Sequence, residues 1–256
     1  MILFVTDLLS GSNLEVWAVL VIVLLCLIAL LVAIILHECA HGLMAKWNGD
    51  LTAKYAGRIT LNPVKHFDLA GFLMLTIVGF GYAKPVPVDP NNFKDKRKGV
   101  LLVSISGVLI NLIVAIIAAF LVVIIERFGS PADLASVIFH TFFLFLLTVN
   151  VFLAVFNLLP FFPLDGYQLL GSLTGSKNRV TKFLYNYGAF ILFCLIGWHI
   201  LMIVITQATG LGFIMFFSPM ALLTHFVGGG IIDSLLNLFR VMFGIYGGRV
   251  HWRFFI

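Results

Sequence analysis

Residues 14–47 read LEVWAVLVIVLLCLIALLVAIILHECAHGLMAKW, an unbroken apolar run that carries His37, Glu38 and His41 near its end. About 20 residues of helix cross the roughly 30 Å hydrocarbon core of a bilayer, so this stretch reads as a membrane-spanning helix. Two histidines four apart project from one helix face and can share one Zn²⁺. Glu38, about 100° round from His37, is placed to act as general base. Ionisable side chains on a spanning helix cost roughly 2 to 3 kcal/mol each, which favours a functional cluster over a satisfied polar helix end.

Composition extends the membrane reading to the whole chain. Of 256 residues, 61% are hydrophobic and only 11% charged, and the mean hydropathy is +1.11. A soluble globule has nearer 45 to 50% apolar residues. Apolar runs at about 14–45, 100–125, 135–160, 184–206 and 212–227 predict an all-α polytopic membrane protein of about five to six transmembrane helices, a single membrane-embedded domain over 1–256. The stretch 69–82, AGFLMLTIVGFGYA within its flanks, is too short to cross and reads as a re-entrant element. The β-prone pieces near AGRITL and KPVPV read as a small membrane-associated β element that an unwound substrate could join as an added strand.

Charge sets the orientation. Lys46, Lys54, Arg58 and Lys65 precede the re-entrant stretch, and Lys84, Lys94, Lys96, Arg97 and Lys98 follow it. A dip that returns to the same face leaves both loops cytoplasmic. Lys177, Arg179, Lys182, Arg240, Arg249 and Arg253 then also fall inside and only Arg127 outside. The N-terminus lies outside and the site near the cytoplasmic face. The net charge of +5 follows from orientation and the lipid bilayer, and no basic, aromatic-interleaved patch points to nucleic acid. Cys26, Cys39 and Cys194 lie in apolar runs without a CxxC pair, so neither a disulfide framework nor a cysteine metal site is indicated. Residues 1–13 read as an outer lead-in rather than a signal peptide. No pattern specifies an oligomeric state.

A catalytic zinc takes three protein ligands and keeps one position for water. Counted back from Lys46, the two histidines lie roughly 8 to 14 Å below the cytoplasmic boundary. The third full span comes in from outside and ends in FNLLPFFPLDG, where Pro160 and Pro163 forbid a regular helix. That brings Asp165 to the matching depth as third ligand, with His66 of the loop LNPVKHFD as the other candidate. Non-helical backbone at 69–87 and 157–166 is where a water-filled cleft can form.

HECAH together with NLLPFFPLDG at 157–166 resembles the site-2 protease family of intramembrane zinc metalloproteases, in its compact type. AGRITLNPVKHFDLAG, AKPVPVDPNNF and SGVLINL agree, so the resemblance covers roughly residues 30–175, and the protease core is expected over 14–175. The resemblance implies Zn²⁺ held by His37, His41 and Asp165, Glu38 as base, and Asn157 as a helper near the substrate. Where the family has Gly-Pro before an asparagine, this chain has Gly107-Val108 before Asn111. By helical rise Asn111 sits about 20 Å from Lys98, deeper than the zinc. It reads as an interhelical hydrogen-bond residue, with substrate contact as the alternative. The implied partners are transmembrane protein substrates, such as membrane-bound regulators or remnant signal peptides, in a prokaryotic cell membrane. The chain has no room for an inserted PDZ or a nucleotide-sensing domain. Residues 184–256 match no named pattern.

Asn150 and His199 read as interhelical contacts. His225 and the glycines at 228–230 are expected to break the last span, and 231–256 to form an interfacial amphipathic segment. There Asp233, Asn237 and Arg240 oppose Ile232, Leu235, Leu236, Phe239 and Phe243, with HWRFFI at the boundary. Two other classes compete. A membrane metal transporter or sensor would repeat its ligands through several spans and gives Glu38 no task. An inactive scaffold descended from a protease leaves the intact set of four residues unexplained.

Overall fold

The computed structural model describes residues 16–78, 83–130, 133–175, 178–211 and 217–245. In chain order the helices are α1 Val16–Trp47, α2 Thr52–Tyr55, α3 Pro63–His66, α4 Leu69–Val78, α5 Lys96–Phe128, α6 Leu134–Asn157, α7 Asp165–Thr174, α8 Arg179–Thr209, α9 Pro219–Leu222 and α10 Gly230–Met242. A π-helical segment, Leu223–Gly229, joins the last two. Five stretches among the described residues are long and apolar enough to cross a membrane: Trp17–Trp47, Lys96–Phe128, Leu134–Asn157, Arg179–Thr206 and Pro219–Met242.

Local chemistry sets the starts of these helices. Asp95 accepts from the Lys98 amide to begin α5, and Asp133 from the Ser136 amide to begin α6. Asn178 does the same for Val180 at α8, and Ser218 for Ala221 at α9, just ahead of Pro219. Each side chain satisfies an amide that has no intrahelical partner.

The core is an antiparallel trio of α1, α5 and α6. Asn48 O accepts from Lys94 N at 3.0 Å, which closes the loop from α1 to α5 at one end, while the α5–α6 turn closes at the other. Ala29, Ala115, Ala118 and Ala119 are fully buried among Val122, Val123, Leu147 and Val151. Small residues let helix backbones approach closely, the main source of packing energy where lipid is as apolar as the core. The outer faces carry exposed large apolar residues such as Leu20, Ile117, Phe190 and Phe193.

The structure departs from the sequence reading in several places, among them Asn150, whose Nδ2 donates to Leu146 O of its own helix and not to a neighbouring one. No strand occurs among the described residues. The segment 83–89 forms neither helix nor strand; Pro85 and Pro87 have no N–H to give a ladder, and it is held by single bonds such as Lys84 N to His66 O at 3.0 Å. The stretch expected to be re-entrant forms α4, and its expected return at 79–82 lies outside the described residues.

The glycines at 228–230 do not end the last span. Gly229 and Gly230 keep right-handed helical angles and the chain continues into α10. Glycine costs about 1 kcal/mol in a helix, whereas a backbone left unbonded in lipid costs several, so the helix persists. Finally, α10 lies along α5 and α6, with Leu236 buried in the core cluster. Arg240 donates through Nε and Nη2 to the Glu126 carboxylate at 2.8 and 2.7 Å. Arg240 therefore sits at the Glu126 end of α5, opposite Lys96, and not beside the other basic loops. Residues 1–13, Lys177, Arg249, Arg253 and the HWRFFI end lie outside the described residues.

Candidate metal centre

His37 and His41 lie on the buried face of α1, one turn apart, with Nε2 atoms 3.0 Å from each other and ring centroids at 4.5 Å. Asp165 is the first residue of α7 and points its Oδ2 between them, 3.3 Å from His37 Nε2 and 3.1 Å from His41 Nε2. Ligand atoms of the three lie within 4.8 Å of one another, and they form the one such group of three among the described residues.

The turn before α7 delivers that carboxylate. Leu164 N donates to Phe161 O at 2.8 Å, and Gly166 lies against the end of α6. A Cβ on Gly166 would come within 2.4 Å of the carbonyl oxygens of Leu158 and Leu159. Only glycine permits this approach.

Helix α5 presents the other wall. Val103, Gly107 and Asn111 recur every four residues, so they share one face. His41 Nδ1 is 2.8 Å from Val103 O. A carbonyl only accepts, so Nδ1 carries the proton and Nε2 turns its lone pair inward. A Cβ on Gly107 would stand 2.4 Å from His37 Cε1 and 2.6 Å from His41 Nε2, so its absence makes room for both rings.

Fully buried Asn111 reaches His37 Nδ1 with its amide at 3.1 Å, as Nδ2, and this leaves Oδ1 buried without a partner. A half-turn of the amide exchanges its donor and acceptor ends. With Oδ1 turned to His37, Nδ1–H donates and Nε2 is freed as a ligand. Asn111 thus makes the expected interhelical hydrogen bond, from α5 to the ring nitrogen of His37 that faces away from Asp165.

The donor set fits a zinc ion. Two imidazole nitrogens and a carboxylate are zinc ligands, and a tetrahedron with bonds of about 2.0 Å has edges of about 3.3 Å. The observed separations are 3.0, 3.1 and 3.3 Å. Asp165 Oδ2 is buried and receives no hydrogen bond. An orphaned carboxylate oxygen facing two imidazole lone pairs is costly unless a cation joins them.

Glu38 is half-buried beside this group, and its Oε2 accepts from Val86 N at 2.8 Å. Cys39 Sγ donates to Thr60 O at 3.1 Å, and His66 Nε2 meets the same carbonyl at 2.8 Å. His66, the other candidate ligand, is thus committed to the loop. Asn157 ends α6 half-buried, with Nδ2 donating to Leu153 O at 3.0 Å. Sequence reasoning missed the Val86 amide and the Val103 carbonyl, because backbone groups carry no signature of their own. The four-residue spacing of Val103, Gly107 and Asn111 was the available signal for the α5 wall.

Side chains able to ligate a metal, grouped inside a bundle of helices long and apolar enough to cross a membrane, are the arrangement of an integral-membrane metalloprotein. The model of peptidase family M50 matches residues 25–195, and the chain belongs to this family, the site-2 protease family of zinc metalloproteases. A Bacillus subtilis (strain 168) protein named "Putative zinc metalloprotease YwhC" is 42% identical over 60% of this chain and 72% of its own length. "Zinc metalloprotease MJ0392" of Methanocaldococcus jannaschii is 27% identical over 74% of this chain, and the chain spans 47% of that protein. No solved structure matches. Zn²⁺ is the cofactor of this family, and the chain is a multi-pass membrane metalloprotease.

Proposed function

We propose that the chain hydrolyses peptide bonds within or near transmembrane segments of membrane-protein substrates, with zinc held by His37, His41 and Asp165 and with Glu38 as general base. The observation that carries this is the convergence of two imidazole nitrogens and an orphaned carboxylate oxygen inside the membrane bundle. A bound zinc ion supplies Lewis-acid activation of water and of the scissile carbonyl.

The chain's own residues do the rest. Val86 N–H holds one oxygen of Glu38, which leaves Oε1 to take a proton from the attacking water and pass it to the leaving amine. Val103 O and Asn111 fix the ring orientation and tautomer of His41 and His37. Asn157, at the end of α6 above the Asp165 turn, is assigned to gripping the substrate backbone. Asn111 acts through His37 in this reading, in preference to touching substrate. The protease core is residues 14–175, with the N-terminus outside and the centre toward the cytoplasmic face of a prokaryotic membrane.

A metal transporter is the weaker reading, since it needs ligands repeated along a path and the described residues present one group. Purified wild type, Glu38→Gln and Asp165→Ala in detergent, assayed for zinc content and for cleavage of single-span membrane substrates, decide the matter. The expected result is cleavage by wild type, none by Glu38→Gln with zinc retained, and weakened zinc in Asp165→Ala. Full zinc in Asp165→Ala would overturn the ligand set. Cleavage by Glu38→Gln at the wild-type rate would overturn the base.

A further inference from the structure

The loop joining α1 to α5 encloses a cavity of about 360 Å³ whose walls include Arg58, Lys65 and Lys84 beside Val64, Phe67 and Pro87. No carboxylate lines it, and none of the three cations pairs with a carboxylate among the described residues. Arg58 is buried; its Nη2 donates to the carbonyls of Lys84 and Pro85, and its Nε is buried without a partner. Three like charges around one concave surface raise the local potential and favour an anion. Arginine and lysine together match phosphate oxygens, the first through its planar fork and the second as a point charge.

The rim identifies which phosphate. Val64 is 77% exposed and Phe67 48%, and the adjoining Leu61 and Leu69 are 67% and 64% exposed. Large apolar side chains bared beside cations are the composition of a surface that lies at the lipid headgroup boundary. The loop is also where α1 ends at Trp47 and α5 begins at Lys96, the shared end of two candidate spans. A soluble phosphate would satisfy the cations and leave that apolar rim in water.

We propose that this cavity binds the phosphate of an anionic membrane phospholipid, with Arg58, Lys65 and Lys84 on the phosphate and Val64 and Phe67 against the acyl boundary. Lys84 lies two residues from Val86, whose amide holds Glu38, so the lipid rests against the segment that orients that carboxylate.

The test uses the full chain in nanodiscs of phosphatidylcholine containing phosphatidylglycerol, with the lipids retained on extraction counted by native mass spectrometry. Wild type should retain phosphatidylglycerol in preference to phosphatidylcholine. The double variant Lys65→Gln/Lys84→Gln should bind it about tenfold more weakly. Lys65→Arg/Lys84→Arg and the distant Lys182→Gln should behave as wild type, and glycerol 3-phosphate in excess should not displace the lipid. Both lysines are exposed at the surface, and an unchanged melting temperature of the double variant verifies its fold. Equal retention by the Gln pair and wild type would overturn the proposal. So would an equal loss in Lys182→Gln, which would mark diffuse surface attraction, or displacement by glycerol 3-phosphate, which would mark a soluble-phosphate site.

Discussion

At the scale of single residues, the chemistry of the centre depends on groups that do not touch the metal. Asn111 is fully buried and its one close polar partner is His37. Replacing it by Leu keeps volume and removes the amide that faces His37 Nδ1. Zinc affinity, measured by competition with a chelator, should fall about 10- to 100-fold, and Asn111→Asp, which retains an acceptor, should keep most of it. An unchanged affinity in Asn111→Leu would show that His37 needs no orienting partner. Val86 permits a parallel test on the base. Val86→Pro deletes the N–H that Glu38 Oε2 accepts from, in a segment outside any helix where prolines already stand on both sides. Turnover should drop about tenfold with zinc content unchanged. These two tests divide what the sequence showed from what it did not. The grouping of His37, His41 and Asp165 was legible because histidines and carboxylates are zinc-ligand types and their spacing or depth brings them together. The Val86 amide and Val103 carbonyl were not, since any residue type could have supplied them.

At the scale of elements, the centre requires α1 and α5 to approach more closely than ordinary side chains allow. Gly107→Ala puts a methyl 2.4 Å from His37 Cε1. Overpacking of this kind costs about 1 to 3 kcal/mol, and here the rings must move apart, so bound zinc should be lost while the protein still folds. Zinc content together with a thermal melt separates the two effects. The loop between these helices has its own keystone in Asp50, which is fully buried outside the spans. Burial raises its pKa, but hydrogen bonds from Thr52 and Asn92 and from the amides of Asp89 and Thr52 outweigh that and leave it lowered. A lowered folded-state pKa gives stability that is present above the unfolded value of about 3.9 and lost as pH falls through the folded one. Wild-type melting temperature should therefore decline on acidification below about pH 4. In Asp50→Asn the melt should be lower at neutral pH, because an amide NH₂ opposes the incoming donors, and its acid decline should be shallower. The long apolar runs made α1, α5, α6 and α8 legible as spans. The expected strand at KPVPV failed on Pro85 and Pro87, where extended propensity met missing donors, and AGRITL has no partner strand among the described residues.

At the scale of the whole molecule, the last helix is where counting charges misleads. Arg240 fits a cytoplasmic basic cluster if the last span stops at the glycines. The structure instead carries α10 along α5 and sets Arg240 against Glu126 with a bidentate pair at 2.7 and 2.8 Å. No single-residue pattern reveals this, since it depends on whether three glycines in lipid continue a helix or end it. Glu126 is nearly enclosed, with its side chain 8% exposed, while that of Arg240 is 35% exposed. Removing the arginine leaves the buried carboxylate with His140 alone, whose Nε2 lies 3.6 Å from its Oε1, a loss of about 1 to 2 kcal/mol after allowing for that partner and for solvent at the Arg240 side. Arg240→Met should lower the melting temperature in detergent, and Glu126→Gln combined with it should recover much of the loss, because the buried carboxylate that has lost its bidentate partner is then gone. Zinc content should stay the same in all three proteins, since the pair lies at the opposite end of α5 from the centre. A melt unchanged by Arg240→Met would mean that α10 is held to the bundle by Leu236, Phe239 and their apolar neighbours alone.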